Sequence, residues 1–231
     1  MLARLVESIA PAKGDFIVEI GPGEGALTLP LLERVGAMHV VELDRDLAAR
    51  MREHAGLAVH EADALEFDFA AFPRGMRIVG NLPYNISTPI LFHLARFAAS
   101  VRDMHFMLQR EVVERMVAVP ATPEYGRLSV ALQTRFRMEK LFNVGAGAFR
   151  PPPKVESAVV RLAPLERPQV PDGLDDVLRR AFSARRKTLK NALAGVDFAA
   201  LGIDAALRPE NLSPADYVRI AETTSRRPNS D

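Results

Sequence analysis

Short apolar runs alternate with longer stretches of helical spacing up to about Leu162. The runs have the length of β-strands and are bounded by Gly, Pro, Asp or Asn, while the stretches between them repeat apolar residues at the period of an α-helix. The predicted strands are Phe16–Ile20, Met38–Glu42, Leu57–Glu61, Met76–Gly80, Met104–Leu108, Arg137–Asn143 and Ser157–Leu162. This alternation predicts a doubly wound α/β domain built on a mostly parallel, seven-stranded sheet.

A second pattern begins after a proline-rich stretch at residues 163–173. Periodicity is lost in that stretch, which is typical of a linker. From Leu174 onward apolar residues fall mainly at helical spacing, and Ser213, followed by Pro, has the form of a helix N-cap. We therefore expect two domains, an α/β domain over residues 1–164 and a small all-α domain over residues 165–231.

Composition narrows the class of protein. The 231 residues are 48% hydrophobic, enough to bury a full core, and 30 Lys and Arg balance 29 Asp and Glu, so overall charge does not argue for an anionic partner. The chain has no Cys, which excludes disulfides, a thiolate nucleophile, Cys-based zinc sites and iron–sulfur clusters. The five His show no metal-ligand spacing, so we expect no metal. Without an apolar stretch suited to a membrane span or signal peptide, we expect a cytoplasmic monomer.

A glycine-rich turn follows the first predicted strand and precedes a return to helical spacing. Gly21, Gly23 and Gly25 would let the backbone approach a ligand closely. The second strand ends in Glu42, at the position where nucleotide-binding folds hold ribose hydroxyls. The spacing Gly21-x-Gly23-x-x-Ala26 also fits a dinucleotide-binding turn, and glycine turns occur without any ligand. A nicotinamide site and a purely structural turn therefore stay open at this point.

Acidic residues near this turn favour S-adenosyl-L-methionine over a dinucleotide. Glu19 and Glu24 would repel a pyrophosphate but suit a cationic sulfonium and its amino group. A third predicted strand is followed by Asp63, whose carboxylate can accept a hydrogen bond from the adenine amino group of the cofactor. Acids after three successive strands thus predict a site for S-adenosylmethionine.

The segment Asn81-Leu82-Pro83-Tyr84 follows the fourth strand, where an open α/β sheet presents its ligand crevice. An exocyclic adenine amine is a poor nucleophile because its lone pair is delocalised into the ring. If the Asn81 side-chain oxygen and the Leu82 carbonyl accept its two N–H groups, the nitrogen is drawn toward tetrahedral geometry, with its lone pair aimed at a methyl donor. Tyr84 would stack on the base. Asn and Pro also favour turns, so a plain turn is the alternative reading of this segment alone.

Together these motifs resemble those of the ribosomal RNA adenine dimethyltransferase family, which includes bacterial small-subunit enzymes and the erythromycin-resistance methyltransferases. The resemblance covers nearly the whole chain and is carried by Glu19–Thr28, Val41–Asp44, Ala62–Ala64, Gly80–Ser87 and Phe149–Ser157. It implies a Rossmann-like S-adenosylmethionine-dependent methyltransferase fold with a small helical RNA-binding domain. It also implies transfer of two methyl groups to each of two adjacent adenines near the 3′ end of 16S rRNA in the small ribosomal subunit, and hence a role in subunit maturation.

The resemblance completes the predicted site. It implies that Phe149 forms a second aromatic wall of the target-base pocket, opposite Tyr84, although position alone fits a core residue equally well. The predicted catalytic residues are Asn81, Leu82, Pro83, Tyr84 and Phe149. The predicted cofactor-binding residues are Glu19, Gly21, Gly23, Gly25, Glu42, Leu43, Asp63, Ala64 and Asn81. Members of the family also carry a Phe-Gly-Gln-Asn-Phe-Leu-like leader before the first helix. Met1 opens directly into that helix, so we expect a shortened N-terminus, with weaker cofactor binding or slower turnover.

Positive charge is dense between Leu178 and Asn191, where no acidic residue interrupts it. We expect a basic helix that neutralises RNA phosphates, with an affinity that depends strongly on salt and little on sequence. The predicted RNA-binding residues are Arg179, Arg180, Arg185, Arg186, Lys187 and Lys190. A solvated helix face shows the same pattern, and only the nucleobase chemistry of the preceding domain favours RNA.

Three other functions stay open from the sequence. The chemistry of Asn81 and Tyr84 would serve any extruded adenine, including one in large-subunit RNA or in DNA. A non-catalytic ribosome-assembly factor could use the same fold. A nicotinamide oxidoreductase is the least favoured, because the sequence offers no His, Tyr or Lys constellation for hydride transfer.

Overall fold

The computed structural model of the chain describes residues 1–145, 147, 155–168, 170–183 and 186–225. These residues divide into two compact units. The first contains Met1–Val113 and Met138–Pro164, and the second contains Glu114–Arg137 and Leu165–Asp231. Residues 114–137, which the sequence predicts to lie in the first domain, therefore belong to the same compact unit as the C-terminal residues. No described helix combines the length and the apolar character that crossing a membrane requires.

A seven-stranded sheet organises the chain, and its strand order is β3-β2-β1-β4-β5-β7-β6. The strands are β1 (Ile17–Ile20), β2 (Met38–Glu42), β3 (Leu57–Glu61), β4 (Met76–Asn81), β5 (Val101–Gln109), β6 (Phe136–Val144) and β7 (Ser157–Pro164). Neighbouring strands from β3 to β5 are parallel, and β7 runs antiparallel to β5. Each strand overlaps a predicted one, so the prediction of a mostly parallel, seven-stranded sheet is confirmed.

Helices follow most of the strands. They are α1 (Leu2–Ile9), α2 (Thr28–Val35), α3 (Arg45–Met51), α4 (Ser87–Ala95), α5 (Arg110–Val117), α6 (Arg127–Gln133), α7 (Leu174–Phe182), α8 (Leu189–Ala192) and α9 (Pro214–Ser225). The inner faces of α1 and α2 pack against the sheet in one apolar cluster that includes Leu5, Leu31, Val40 and Val79. All four residues of β1 are buried, which explains why the central strand is a run of apolar residues broken only by Glu19.

The order of the strands reverses between β1 and β4, and this reversal creates a place at the edge of the sheet where a ligand can bind. The chain passes from β1 outward to β2 and β3, then returns to place β4 on the other side of β1. Ligands of open α/β sheets bind at the carboxyl ends of the strands at such a reversal. Gly80 makes the close approach of β4 to β1 feasible there, because a Cβ atom at this position would lie 2.8 Å from the Ile20 carbonyl oxygen.

In the second unit, two buried tyrosines donate hydrogen bonds to backbone carbonyls that lie shortly before α9. The Tyr125 hydroxyl donates to the Leu212 carbonyl at 2.9 Å, and the Tyr217 hydroxyl donates to the Pro209 carbonyl at 2.8 Å. Ser213 caps α9 as predicted, because its hydroxyl accepts a hydrogen bond from the N–H of the third helical residue, at 3.2 Å. These contacts hold together the helices of a unit with a small core.

The expectation of one continuous basic helix between Leu178 and Asn191 is wrong. Helix α7 ends at Phe182, residues 186–188 form a turn, and α8 begins at Leu189. A tertiary hydrogen bond fixes the backbone where α8 begins: the Leu189 N–H donates to the Leu207 carbonyl at 2.8 Å. In a continuous helix that N–H would pair with the carbonyl four positions earlier.

Candidate functional site

A cavity of about 400 Å³ opens at the carboxyl ends of the parallel strands in the first unit, a volume suited to a small ligand. It is lined by Ile20, Gly21, Val41, Glu42, Leu43, Asp44, Ala62, Asp63, Ala64, Leu65, Pro83, Asn85 and Ile86. Residues from the ends of β1, β2, β3 and β4 therefore meet at one place. Five of the predicted cofactor-binding residues are among them: Gly21, Glu42, Leu43, Asp63 and Ala64.

The glycine turn after β1 forms one wall of this cavity. Gly21 and Gly23 have φ values of 66° and 57°, a backbone conformation that favours glycine. The Gly21 N–H donates to the Val41 carbonyl at 2.9 Å, which fixes the start of the turn against β2. Gly23 and Gly25 are not among the lining residues, so only the start of the turn faces the cavity.

Two backbone N–H groups hold the Glu42 carboxylate, one on each of its oxygens. Its Oε1 accepts from the Asp44 N–H at 2.9 Å, and its Oε2 accepts from the Gly23 N–H at 3.3 Å. Each oxygen keeps a further lone pair for a ligand hydroxyl. Because the side chain is only 8% exposed and lines the cavity, its orientation is fixed before any ligand arrives.

Asp63 and its neighbours form the opposite wall. Asp63 Oδ1 accepts from the Leu65 N–H at 2.8 Å, which leaves Oδ2 available to the cavity. Leu43 is 66% exposed although it is a large apolar side chain, and it also lines the cavity. An exposed leucine beside a fixed carboxylate suits a flat, partly apolar ring that carries an amino group.

Glu19 does not line the cavity. Its side chain is 1% exposed, and Oε2 has no hydrogen-bond partner among the described residues. Burial raises the pKa of this carboxyl to about 7, the nearby Thr28 hydroxyl opposes that rise, and the negative charge of Glu42 adds to it. Glu19 therefore cannot contact a ligand in the cavity directly. Any effect of this residue on a cofactor would come from its buried charge near the glycine turn.

Asn81 is the last residue of β4, and its side chain is exposed at the same edge of the sheet. Its backbone stays in register with Met107 of β5. Among the described residues its side chain makes no hydrogen bond. Asn81 is not one of the lining residues, but Pro83 is, so the segment borders the cavity and the Asn81 side chain is exposed beside it.

Hydrogen bonds to neighbouring strands hold Leu82 and Tyr84, which follow Asn81. The Leu82 N–H donates to the Met107 carbonyl at 3.2 Å, and the Leu82 side chain is 1% exposed. The half-buried Tyr84 shares a hydrogen bond of 2.9 Å between its hydroxyl and that of Ser157, the first residue of β7. The structure thus brings Asn81, Leu82, Pro83 and Tyr84 to one turn beside the cavity, whereas Phe149 lies outside the described residues.

The predicted RNA-binding residues lie in the second unit, in three different local structures. Arg179 and Arg180 belong to α7, Arg186 and Lys187 to the turn, and Lys190 to α8, while Arg185 lies outside the described residues. Arg179 is paired with Asp176, and Arg180 donates to the Ala194 carbonyl at 3.2 Å. Arg186, Lys187 and Lys190 are exposed.

Sequence reasoning missed two kinds of residue at this site. Seven further residues line the cavity, and each is next or close in sequence to a predicted residue, so the flanks of the motifs were the available signal. They are Ile20, Val41, Asp44, Ala62, Leu65, Asn85 and Ile86. The contact of Ser157 with the tyrosine hydroxyl had no local signal, because the two residues are 73 positions apart.

Comparisons with known proteins agree with this geometry. The chain is similar to ribosomal RNA small subunit methyltransferase A of Aromatoleum aromaticum, with 57% identity over 95% of this chain and 87% of the relative. It is 56% identical to the protein of that name from Thiobacillus denitrificans, over 96% of this chain and 92% of the relative. A dimethyladenosine transferase structure from Plasmodium falciparum is similar with a TM-score of 0.84 and 25% identity, over 97% and 95% of the two chains.

A crystal structure of the 23S rRNA methyltransferase ErmE shares the fold, with a TM-score of 0.70 and 23% identity over 97% of both chains. The sequence model described as ribosomal RNA adenine dimethylase matches residues 1–225. This match and the two bacterial relatives confirm the resemblance drawn from the motifs. The chain belongs to the ribosomal RNA adenine dimethylase family.

Proposed function

We propose that this protein uses S-adenosylmethionine to dimethylate N6 of two adjacent adenines near the 3′ end of 16S rRNA in the small ribosomal subunit, as a step in subunit maturation. Family membership supports an rRNA adenine as the target, and the names of the bacterial relatives support the small subunit. The observation that carries the chemistry is a pair of open acceptors at the end of β4. Neither the Asn81 side chain nor the Leu82 carbonyl has a hydrogen-bond partner among the described residues.

The cavity residues fit S-adenosylmethionine. Glu42 would accept the ribose hydroxyls and Asp63 Oδ2 the adenine amino group, with Leu43 and Ala64 against the ring. Above its pKa of about 7, Glu19 would supply buried negative charge near the glycine turn, which suits a cationic ligand. When bound, the cofactor supplies a methyl group on a positively charged sulfur.

The residues at the end of β4 act on the target amine by orientation. Asn81 Oδ1 and the Leu82 carbonyl accept the two N6–H groups, which localises the nitrogen lone pair and directs it toward the cavity. The nitrogen becomes strongly acidic once it is alkylated, so it releases its proton to water without a dedicated strong base. Tyr84 stacks on the base, which must leave its helical stack to reach these acceptors.

The exposed basic residues of the second unit are proposed to contact rRNA phosphates. Arg186, Lys187 and Lys190 are exposed, whereas Arg179 and Arg180 already have protein partners and would contribute less. Each neutralised phosphate releases counterions, so binding should weaken steeply with salt. The double reversal Arg186→Glu and Lys187→Glu should lower affinity for small subunits and reduce the salt slope by about 2. An unchanged salt slope would show that Arg186 and Lys187 do not contact rRNA phosphates.

The proposed activity is tested with small subunits that lack the modification. The protein and labelled S-adenosylmethionine are incubated with these subunits, with large subunits and with DNA, and the products are resolved by nucleoside analysis. We expect N6,N6-dimethyladenosine in small-subunit RNA alone. Label in large-subunit RNA or in DNA would show that the proposed substrate is wrong. Absence of label from every substrate would contradict an enzymatic function and favour a non-catalytic assembly factor.

The role of the amide is tested in the same assay. Asn81→Ala should lower the rate of methyl transfer about a hundredfold or more, the scale found when one group that contacts a reacting atom is removed. Asn143→Ala, which truncates an exposed asparagine of β6, should leave the rate unchanged. Equal rates for the two variants would contradict the proposed chemistry.

A further inference from the structure

The Leu82–Pro83 peptide lies between two peptides that are each fixed by hydrogen bonds. On the N-terminal side, the Leu82 N–H donates to the Met107 carbonyl of β5 at 3.2 Å. On the C-terminal side, the Pro83 carbonyl accepts from the Ile86 N–H at 3.2 Å and from the Ser87 hydroxyl at 3.0 Å. The Leu82 carbonyl between them accepts no hydrogen bond from the part of the chain that the structure describes.

The direction of the Leu82 carbonyl is therefore set by its neighbours. The Leu82 side chain is 1% exposed, so it cannot turn outward without losing its packing. The proline ring holds φ of the next residue near one value. The remaining freedom is rotation about the Leu82 Cα–C bond. That rotation would carry Pro83 and its carbonyl with it, so the two hydrogen bonds to the Pro83 carbonyl restrict it.

Ser87 links this turn to a rigid helix. It is the first residue of α4 and is fully buried, and α4 is anchored by Ile90, Leu91 and Leu94, each at most 1% exposed. Water competes poorly for a hydrogen bond whose donor is buried, so the Ser87 hydroxyl can hold the Pro83 carbonyl in one direction. The turn is thus attached to β5 at one end and to α4 at the other.

We propose that Ser87 is a positioning residue for methyl transfer: its hydroxyl holds the Pro83 carbonyl and so keeps the Leu82 carbonyl aimed at the target amine. This inference rests on the proposed function, in which the Leu82 carbonyl accepts one N6–H group. Ser87 itself touches no reacting atom. Loss of its hydroxyl should slow the chemical step and leave binding of RNA and cofactor unchanged, because Ser87 is fully buried and does not line the cavity.

Three variants test the proposal. Ser87→Ala removes the hydroxyl and Ser87→Thr retains it. Ser129→Ala is the matched control, because Ser129 is also fully buried and its hydroxyl donates to a backbone carbonyl, that of Arg115, in the second unit. Each variant is measured for kcat and KM with small subunits, for thermal unfolding, and for amide hydrogen exchange at Leu82 and Ile86.

We expect Ser87→Ala to lower kcat on the order of tenfold, the factor that one net hydrogen bond supplies, with KM within about twofold. Exchange at Leu82 and Ile86 should accelerate. Ser87→Thr should keep most of the wild-type kcat and exchange protection, and Ser129→Ala should lower the unfolding temperature without changing kcat. Wild-type kcat or wild-type exchange in Ser87→Ala would overturn the proposal, as would equal losses in Ser87→Ala and Ser87→Thr.

The exchange measurement separates this inference from the proposed function. A wild-type protein that transfers no methyl group to any substrate would refute the proposed function alone. The exchange rates of Leu82 and Ile86 would still show whether the Ser87 hydroxyl holds the turn.

Discussion

Glu19→Gln should make the protein more stable at neutral and alkaline pH. The wild-type carboxyl is 1% exposed, and one of its oxygens has no hydrogen-bond partner among the described residues. An ionised carboxylate in such a place is costly, because few dipoles replace the water it has lost. Glutamine has the same shape without the charge, so the substitution removes the cost of ionisation and leaves the packing intact.

The size of the effect follows from the pKa. Burial raises the pKa of Glu19 from its ordinary value of 4.5 to about 7. Below pH 4.5 the carboxyl is neutral in both the folded and the unfolded chain. Between 4.5 and about 7 the unfolded chain loses this proton first, so the free energy of unfolding falls as pH rises. Above pH 7 the loss is complete and amounts to about 3 kcal/mol.

Urea unfolding followed by far-ultraviolet circular dichroism measures this difference. We expect similar unfolding free energies for wild type and Glu19→Gln near pH 4.5, and an advantage of about 3 kcal/mol for Glu19→Gln near pH 8. Glu33→Gln, which neutralises an exposed carboxylate on α2, is the control and should track the wild type. An advantage of the same size at both pH values would refute the assignment of the penalty to ionisation.

The same substitution should weaken binding of S-adenosylmethionine. Above pH 7 wild-type Glu19 is ionised and attracts the cationic ligand, so Glu19→Gln should raise the Kd roughly tenfold near pH 8. The difference should shrink near pH 5, where wild-type Glu19 is neutral in the folded protein. Calorimetric titration measures both affinities, and a Kd ratio that does not change with pH would remove Glu19 from the cofactor site.

Gly80→Ala should cost on the order of 1–3 kcal/mol of stability and impair methyl transfer, because its Cβ would meet the Ile20 carbonyl oxygen at 2.8 Å and push β4 from β1; urea unfolding and the transfer assay measure the two effects. Arg77→Ala should cost about 3–5 kcal/mol, because it removes both hydrogen bonds that the buried Asp103 carboxylate of β5 accepts from Arg77. Arg102→Ala, at a side chain 60% exposed, should cost less than about 1 kcal/mol, and similar losses would contradict this account. Tyr84→Phe keeps the stacking ring and should transfer within about threefold of wild type, while Tyr84→Ala should weaken binding of the target adenine about tenfold to a hundredfold, as measured by KM for small subunits.

The location of the strands could be predicted from local pattern. The buried strands β1, β2 and β4 are mainly apolar runs that end at or before a glycine or a polar residue, and burial on both faces of a parallel sheet requires such runs. The carboxylates of Glu42 and Asp63 could be placed for the same reason, because acids that follow parallel strands come to one edge of the sheet. The segment from Asn81 to Tyr84 could likewise be placed after the fourth strand, beside the cavity, because it is contiguous in sequence.

The basic segment shows where local pattern was insufficient. Residues between Leu178 and Asn191 are compatible with a helix, yet the chain turns at residues 186–188. The Leu189 N–H at the start of α8 donates to the carbonyl of Leu207, which comes later in the chain, and local spacing contains no information about this pairing. A tertiary hydrogen bond of this kind can override local helix propensity.

The amino-acid sequence by itself determined the order of strands and helices and the positions of the candidate site residues along them, because those properties depend on residue type and on short-range periodicity. Only the tertiary structure decided that β7 lies between β5 and β6, and that Ser157 at its start meets the hydroxyl of Tyr84. It also decided that Glu19 is buried deeply enough to shift its pKa. Strand pairing, burial and electrostatic environment are set by residues distant in sequence, so they exist only once the chain has folded.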